Sequence, residues 1–458
     1  MKSKVLSLLP KIGLLVMSIV TGASAQNAVT NWNNIAITAA RASKVAPGST
    51  SGSTTAIYVA YVELAVYNAV NAIDGHFEPY KYTLTAPAGA SADAAAIEAA
   101  YQTLIRLFPD QKRYLDTQYD DPLVGIASIP NGPARTDGQS VGFVSAVTLL
   151  TLRANDGRGA NVPYGFPSTV VPAVWIPTPP GFLAPATPWA GQMQPFTFDD
   201  PGQFLPEPPP DLSSQTWADD YNQVKALGAK DSTVRTPEQT EIGLFWTEHS
   251  TAQYGRMLRA KAVEFNLSLA DSARLFAMTY AASADATIGC WNAKYHYSFW
   301  RPVTAIPNGD LDGNPDTIAD PDWTPLAATP NHPEYPSAHG CTTGAVADTL
   351  KSYFGTPNLQ ISLFSPVTNA THTFDNIRDW QNEVGWARIY AGFHYQNSVE
   401  QGLILGHKVA HHVVHNDFRP VRSEHDRNQD ESDSGAWDQI SHSMSVVNPN
   451  SFGRGEKR

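Results

Sequence analysis

Three short stretches in the second half of the chain concentrate the side chains that could handle an anion and a proton. "WNAKYHYSFWRP" (291–302) holds Lys294 and Arg301, seven residues apart, a spacing that predicts both on one helical face two turns apart. "YPSAHG" (335–340) presents Ser337, Ala338 and His339, with His332 seven residues ahead of His339. "ARIYAGFHYQ" (387–396) holds Arg388 and His394. Cations set among tryptophan, phenylalanine and tyrosine are costly unless something compensates them. A tetrahedral oxyanion would do so. Arginines offer forked donor pairs, the lysine a point charge, and Ser337 with the turn amides further donors. Two histidines then remain to bond the central atom and to move protons. The plain alternative for 329–340 is a loop stiffened by prolines around a satisfied histidine.

These stretches need a scaffold. "TTAIYVAYVELAVYNAVNAIDG" (54–75) reads as a helix apolar on nearly every face and ending at Gly75; Glu63, Asn68 and Asn71 favour burial in protein over a membrane span. "SADAAAIEAAYQTLIRLF" and "TDGQSVGFVSAVTLLTLRAND" also read as helices with polar starts. Helical signals resume at 236 and run to about 415, and period-two patterns are scarce, so the expected class is all-α. Residues 161–210 carry 14 of the 35 prolines yet include Trp175, Phe182 and Trp189, which predicts a long ordered covering loop; a plain linker between two helical lobes is the alternative.

The first 25 residues read as a signal peptide, with Lys2 and Lys4, the apolar "IGLLVMSIV" and "ASA" before Gln26. A secreted or periplasmic protein with no stable membrane insertion after processing is expected; a retained anchor is the alternative. The division is then 1–25 leader, 26–235 helical region with the proline-rich loop, 236–420 catalytic helical region and 421–458 polar tail. Net charge is −12, which argues against nucleic acid or anionic membrane as a general partner. Any anion site must be a local cluster of cations.

Lys-x6-Arg-Pro, Pro-Ser-x-His and Arg-x5-His, in that order, resemble the three-part signature of the vanadium-dependent haloperoxidase and type 2 phosphatidic acid phosphatase superfamily. The resemblance covers roughly residues 240–415. It implies packed helix bundles with the oxyanion site in a bundle core and vanadate as cofactor. Carried over by position, Lys294, Arg301, Arg388, Ser337 and the Ala338 amide would hold the equatorial oxygens. His394 would bond vanadium and His339 would be the acid–base group. Hydrogen peroxide would bind at the metal, Lys294 would polarise it, and a halide would leave as hypohalous acid. His332 resembles the bromoperoxidases, where chloroperoxidases carry phenylalanine, and Trp291 matches a pocket tryptophan. Bromide or iodide is therefore expected over chloride.

The chain departs from the pattern at Ala338, where glycine is usual, at Ala387, where serine is common, and at Ser398, where the phosphatases place an aspartate that orients the histidine. The last departure counts against a phosphatase working through a phosphohistidine, the alternative activity, since an unoriented histidine is a poorer nucleophile. An oxyanion-binding descendant without turnover is a further alternative. If the motifs ring one anion, Cys290 and Cys341 come close enough for a disulfide, which export would permit. Glu248 reads as a surface glutamate, with a buttress for an arginine as the alternative. His407, His411 and His415 share a helix face without an HExxH-type carboxylate, and "DLDGNPDTIAD" (310–320) reads as an acidic surface loop. The organic acceptor and oligomeric state, a homo-oligomer included, stay open.

Overall fold

The structure, a computed structural model, describes residues 27–421. The leader expected over 1–25 and the tail beyond residue 421 lie outside the described residues. Thirteen α-helices occur among the described residues. They are α1 (Ala28–Ala42), α2 (Thr55–Asp74), α3 (Ala92–Leu107), α4 (Lys112–Tyr119), α5 (Pro133–Leu152), α6 (Gln215–Gly228), α7 (Pro237–Phe245), α8 (Ser250–Glu264), α9 (Leu269–Tyr297), α10 (Pro302–Ala305), α11 (Ala338–Phe354), α12 (Ile377–Tyr390) and α13 (Gln396–Asn416). One antiparallel hairpin, β1 (Ile361–Ser365) and β2 (Ala370–Phe374), is the small exception to an all-α fold.

Local chemistry sets these boundaries. Ser91 caps α3 by accepting from the Ala94 amide, and Ser268 caps α9 through Asp271. Thr236 and Gln239 form a reciprocal capping box on α7. Gly75 closes α2 in the left-handed region, φ 75°. Helix α2 is long and apolar enough to cross a membrane, but 89% of its apolar stretch is buried inside the protein. Its polar residues have jobs there. Asn68 exchanges two hydrogen bonds with the Tyr80 backbone, and Asn71 does the same with Phe77.

The 29-residue α9 is the axis of the molecule: α2 packs on one side, α11 and α13 on another. The larger hydrophobic cluster runs from Ala28 to Phe418, and a second gathers Trp217, Tyr221 and Val224 of α6 with Trp300, Trp323 and Tyr395. Helices α11 and α13 meet along glycines. A Cβ on Gly402 would lie 2.6 Å from the Ser337 carbonyl, and one on Gly406 would lie 2.2 Å from that of Cys341. No other residue lets the two backbones approach this closely.

The proline-rich stretch 161–210 is ordered and covering, as expected. Trp175 and Trp189 are buried, whereas Phe182 is 65% exposed. The stretch is pinned to α9 and to the loop before α11. The Trp175 amide donates to the Ser298 carbonyl, the Ala186 amide to Asn331, and Trp291 Nε1 to Thr187 Oγ1.

Candidate active site

Helix α9 ends three residues after Lys294, because Ser298 turns into the left-handed region (φ 51°) and Pro302 follows. Arg301 therefore does not share a helical face with Lys294, as the seven-residue spacing predicted. The chain reverses and returns Arg301 to the same pocket as the N-cap of α10. Residues 329–336 then cross the pocket as an extended loop, and Ser337 starts α11, its Oγ accepting from the Gly340 amide at 3.4 Å. Arg388 lies in the last turn of α12. A tight turn through Gly392 (φ 76°) leads to His394, two residues before α13. The site thus collects side chains from two helix C-termini and the N-terminus of α11, where amides without intrahelical acceptors favour an anion.

Lys294 and Arg301 are fully buried, Arg388 and His394 are 2% exposed, and His339 is partly exposed. Arg301 is the hub. Its Nε donates to the His332 carbonyl (2.9 Å), Nη1 to the Phe393 carbonyl (2.8 Å) and to His394 Nε2 (3.1 Å), and Nη2 to His332 Nδ1 (3.0 Å). Lys294 Nζ donates to the carbonyls of Pro333 (3.0 Å), Glu334 (2.9 Å) and Pro336 (2.5 Å). All three ammonium donors are thereby engaged with the crossing loop. Among the described residues Arg388 makes one hydrogen bond, Nη1 to the Trp246 carbonyl at 2.8 Å, and its buried Nε finds no partner. Trp246 is itself held by Glu383.

Burial sets the electrostatics, and the cations reinforce one another. Arg388 is pushed down to about 9 by desolvation and then by Arg301. Arg301 falls to about 10 and Lys294 to about 8, both chiefly from burial. Glu334, the carboxylate among them, is raised to about 7 by burial, opposed by Arg301, Ser398 and Lys294. His332, His339 and His394 are held well below 6.5 by desolvation and by the neighbouring cations, so each imidazole is neutral and keeps a lone pair.

Three cations against one carboxylate, an unpartnered buried guanidinium N–H and a free helix start make a site that fits a tetrahedral oxyanion such as vanadate or phosphate. The profile of the VCPO second helical-bundle domain matches residues 274–422, which contain all three motifs. Those residues are similar to the second helical bundle of the vanadium haloperoxidases.

Vanadium chloroperoxidase of Curvularia inaequalis is 28% identical over 285 residues, 51% of this chain and 46% of that protein, so the match spans about half the length of that relative. The fold is similar to that of a bacterial vanadium-dependent iodoperoxidase, with a TM-score of 0.69, 22% identity and coverage of 86% of this chain and 95% of that one. It is also similar to a holo-type bacterial vanadium-dependent chloroperoxidase, with a TM-score of 0.61, 17% identity and coverage of 79% and 91%.

Within this haloperoxidase-type bundle, every residue singled out from the motifs lies at the one site or beside it. Trp291 and His332 face each other with ring centroids 5.1 Å apart. The bridge expected between Cys290 and Cys341 is not formed. Both are buried free thiols within hydrogen-bond reach of each other, and Cys290 Sγ is turned to the Pro336 carbonyl at 3.8 Å. Glu248 is buried rather than on the surface, but it pairs with Arg256 and not with a site arginine. Among the described residues the 407–415 face holds no metal-type cluster: His407 bonds Asp348, and His411 stacks on His415. Asp312 organises the 310–320 loop by accepting from Trp217, Asn314 and Thr317.

The residue that spacing did not reveal is Glu334. Its Oε1 accepts from His394 Nδ1 at 2.7 Å and from the Tyr395 amide at 3.1 Å, and its Oε2 accepts from Ser398 Oγ at 2.6 Å. The carboxylate missing at position 398 is replaced by one arriving from the crossing loop. A glutamate between two prolines beside a motif histidine was the signal available.

Proposed function

We propose that the chain is a vanadium-dependent haloperoxidase that uses hydrogen peroxide to oxidise bromide or iodide to hypohalous acid, with residues 236–420 carrying the chemistry and the leader at 1–25 exporting it. The observation that carries this reading is the buried excess of Lys294, Arg301 and Arg388 over Glu334, which calls for a bound oxyanion. Vanadate would be held by His394 Nε2, Arg301, Arg388, Ser337 and the amides that open α11, and when bound it supplies a Lewis acid that activates peroxide without changing oxidation state.

His394 is neutral, so its Nε2 lone pair is free for the central atom once Arg301 Nη1 shifts from it. Lys294 holds the crossing loop and supplies positive charge from beneath; to touch the anion it must release one loop carbonyl. His339 makes no ring hydrogen bond among the described residues, and burial keeps it neutral, so it can accept a proton at the partly open side. His332 and Trp291 wall the halide side, with His332 locked by two bonds from Arg301.

A phosphatase acting through His394 is the second reading, and Glu334 favours it, because the carboxylate on Nδ1 supplies the orientation that Ser398 alone lacks. One metal-stripped sample split in two separates the readings. Peroxide-dependent oxidation of bromide or iodide that appears only on adding orthovanadate supports the haloperoxidase. Hydrolysis of a chromogenic phosphate ester that vanadate inhibits, with no halide turnover, replaces it by the phosphatase.

A further inference from the structure

We propose that Glu334 is a positioning residue that fixes His394 as the Nδ1–H tautomer and aims its Nε2 lone pair at the oxyanion site. The inference rests on the reading of His394 as the residue that bonds the oxyanion's central atom. Donor chemistry carries the argument. A guanidinium can only donate, so the 3.1 Å contact from Arg301 Nη1 requires Nε2 to be the unprotonated nitrogen. The proton of a neutral imidazole must then sit on Nδ1, where it points at Glu334 Oε1 at 2.7 Å.

The other partners of Glu334 leave it little choice of role. The Tyr395 amide and the Ser398 hydroxyl also donate to it, so three donors converge on a fully buried carboxylate that only accepts. Its main chain is equally fixed, the amide donating to the Phe299 carbonyl and the carbonyl accepting from Lys294. The crossing loop is thus clamped by α9 and reads out onto the start of α13. The Ser398 carbonyl in turn accepts from the Ser337 amide at 2.8 Å, so the group that braces His394 also braces the cap of α11. An imidazole oriented this way is both rotationally fixed and a stronger donor through Nε2.

Simple electrostatics and positioning make opposite predictions. Glu334 is a negative charge beside an anion site, so deleting it should tighten anion binding if charge were all that mattered. Positioning predicts that Glu334→Ala weakens orthovanadate binding by about 10- to 100-fold. Glu334→Gln, whose Oε1 can still accept from Nδ1–H while its amide donates to Ser398 Oγ, should bind within about three-fold of wild type or more tightly. The measurement is orthovanadate and inorganic phosphate titration by calorimetry, with nitrogen NMR of histidine-labelled apo protein.

The wild-type spectrum should show His394 protonated at Nδ1, kept in Glu334→Gln and lost in Glu334→Ala. A wild-type His394 protonated at Nε2 overturns the proposal without any variant having to fold. So does tighter binding by Glu334→Ala. If wild-type protein binds neither anion, the oxyanion reading fails, and the spectrum still decides the tautomer separately.

Discussion

Arg388→Met should stabilise the protein when no oxyanion is present and abolish the stabilisation that an oxyanion provides. The guanidinium is pushed well down from its ordinary value, to about 9, by burial and by repulsion from Arg301, partly offset by Tyr254. Each pH unit of that depression corresponds to about 1.4 kcal/mol, so keeping the charge buried at neutral pH costs up to about 5 kcal/mol, relieved only above about pH 9. Methionine keeps much of the apolar stem. It forfeits the bond to the Trp246 carbonyl, about 2 kcal/mol, and the cation–π contact with Phe393, whose centroid is 4.9 Å away, about 1 kcal/mol. The balance is a gain of about 2 kcal/mol.

Urea unfolding in phosphate-free buffer would show it as a higher midpoint for the variant. Orthovanadate at about 100 times its dissociation constant should add about 2.7 kcal/mol to wild type and nothing to the variant. A variant less stable than wild type without the anion, or an equal vanadate response in both, would refute the idea that Arg388 is a cation stored for a ligand.

Glu63, fully buried in α2 and bonded to Asn33, is raised from 4.5 to about 8, mainly by burial. The native state holds that proton more tightly than the unfolded chain, so wild-type stability should fall as pH rises from about 4.5 to about 8. Glu63→Gln should lack that slope and be more stable by up to about 5 kcal/mol at pH 8, and parallel unfolding curves across the range would contradict it. Gly406→Ala should cost about 3 kcal/mol or more, since its Cβ would overlap the Cys341 carbonyl; soluble protein with an unchanged urea midpoint would mean the seam can open freely. His394→Ala should lose vanadium on gel filtration, whereas His339→Ala should retain vanadium and lose turnover. Retention by the first or full turnover by the second would remove the corresponding role.

Elements whose signal is local were legible in the sequence. Helix α2 announces itself by unbroken apolar character and Gly75, and α3 by Ser91 followed by alanines. The three motifs could be found because each is a compact cluster whose internal spacing survives folding. What lies between them could not. Lys294 and Arg301 look like one helical face until Ser298 adopts a left-handed turn, which propensity at a serine does not foretell. The bond from His394 to Glu334 joins residues sixty apart, and no pattern of period two or 3.6 encodes such a pair. The hairpin was missed because its two strands of five residues bury only alternate side chains of β1 and leave β2 mostly outside.

The glycine seam between α11 and α13 makes the pocket a gauge. Ser337 and His339 open one helix, and His394 immediately precedes the other. The seam leaves no slack by which these two walls could draw closer, since a methyl group at Gly340, Gly344, Gly402 or Gly406 would already overlap the opposing backbone. A recess that cannot narrow further sets a lower bound on the ion it closes around. If the site takes an oxyanion as proposed, tetrahedral ions of similar size such as phosphate and vanadate would compete for it on nearly equal geometric terms. The haloperoxidase and phosphatase readings would then differ in which ion is seated rather than in the shape of the recess.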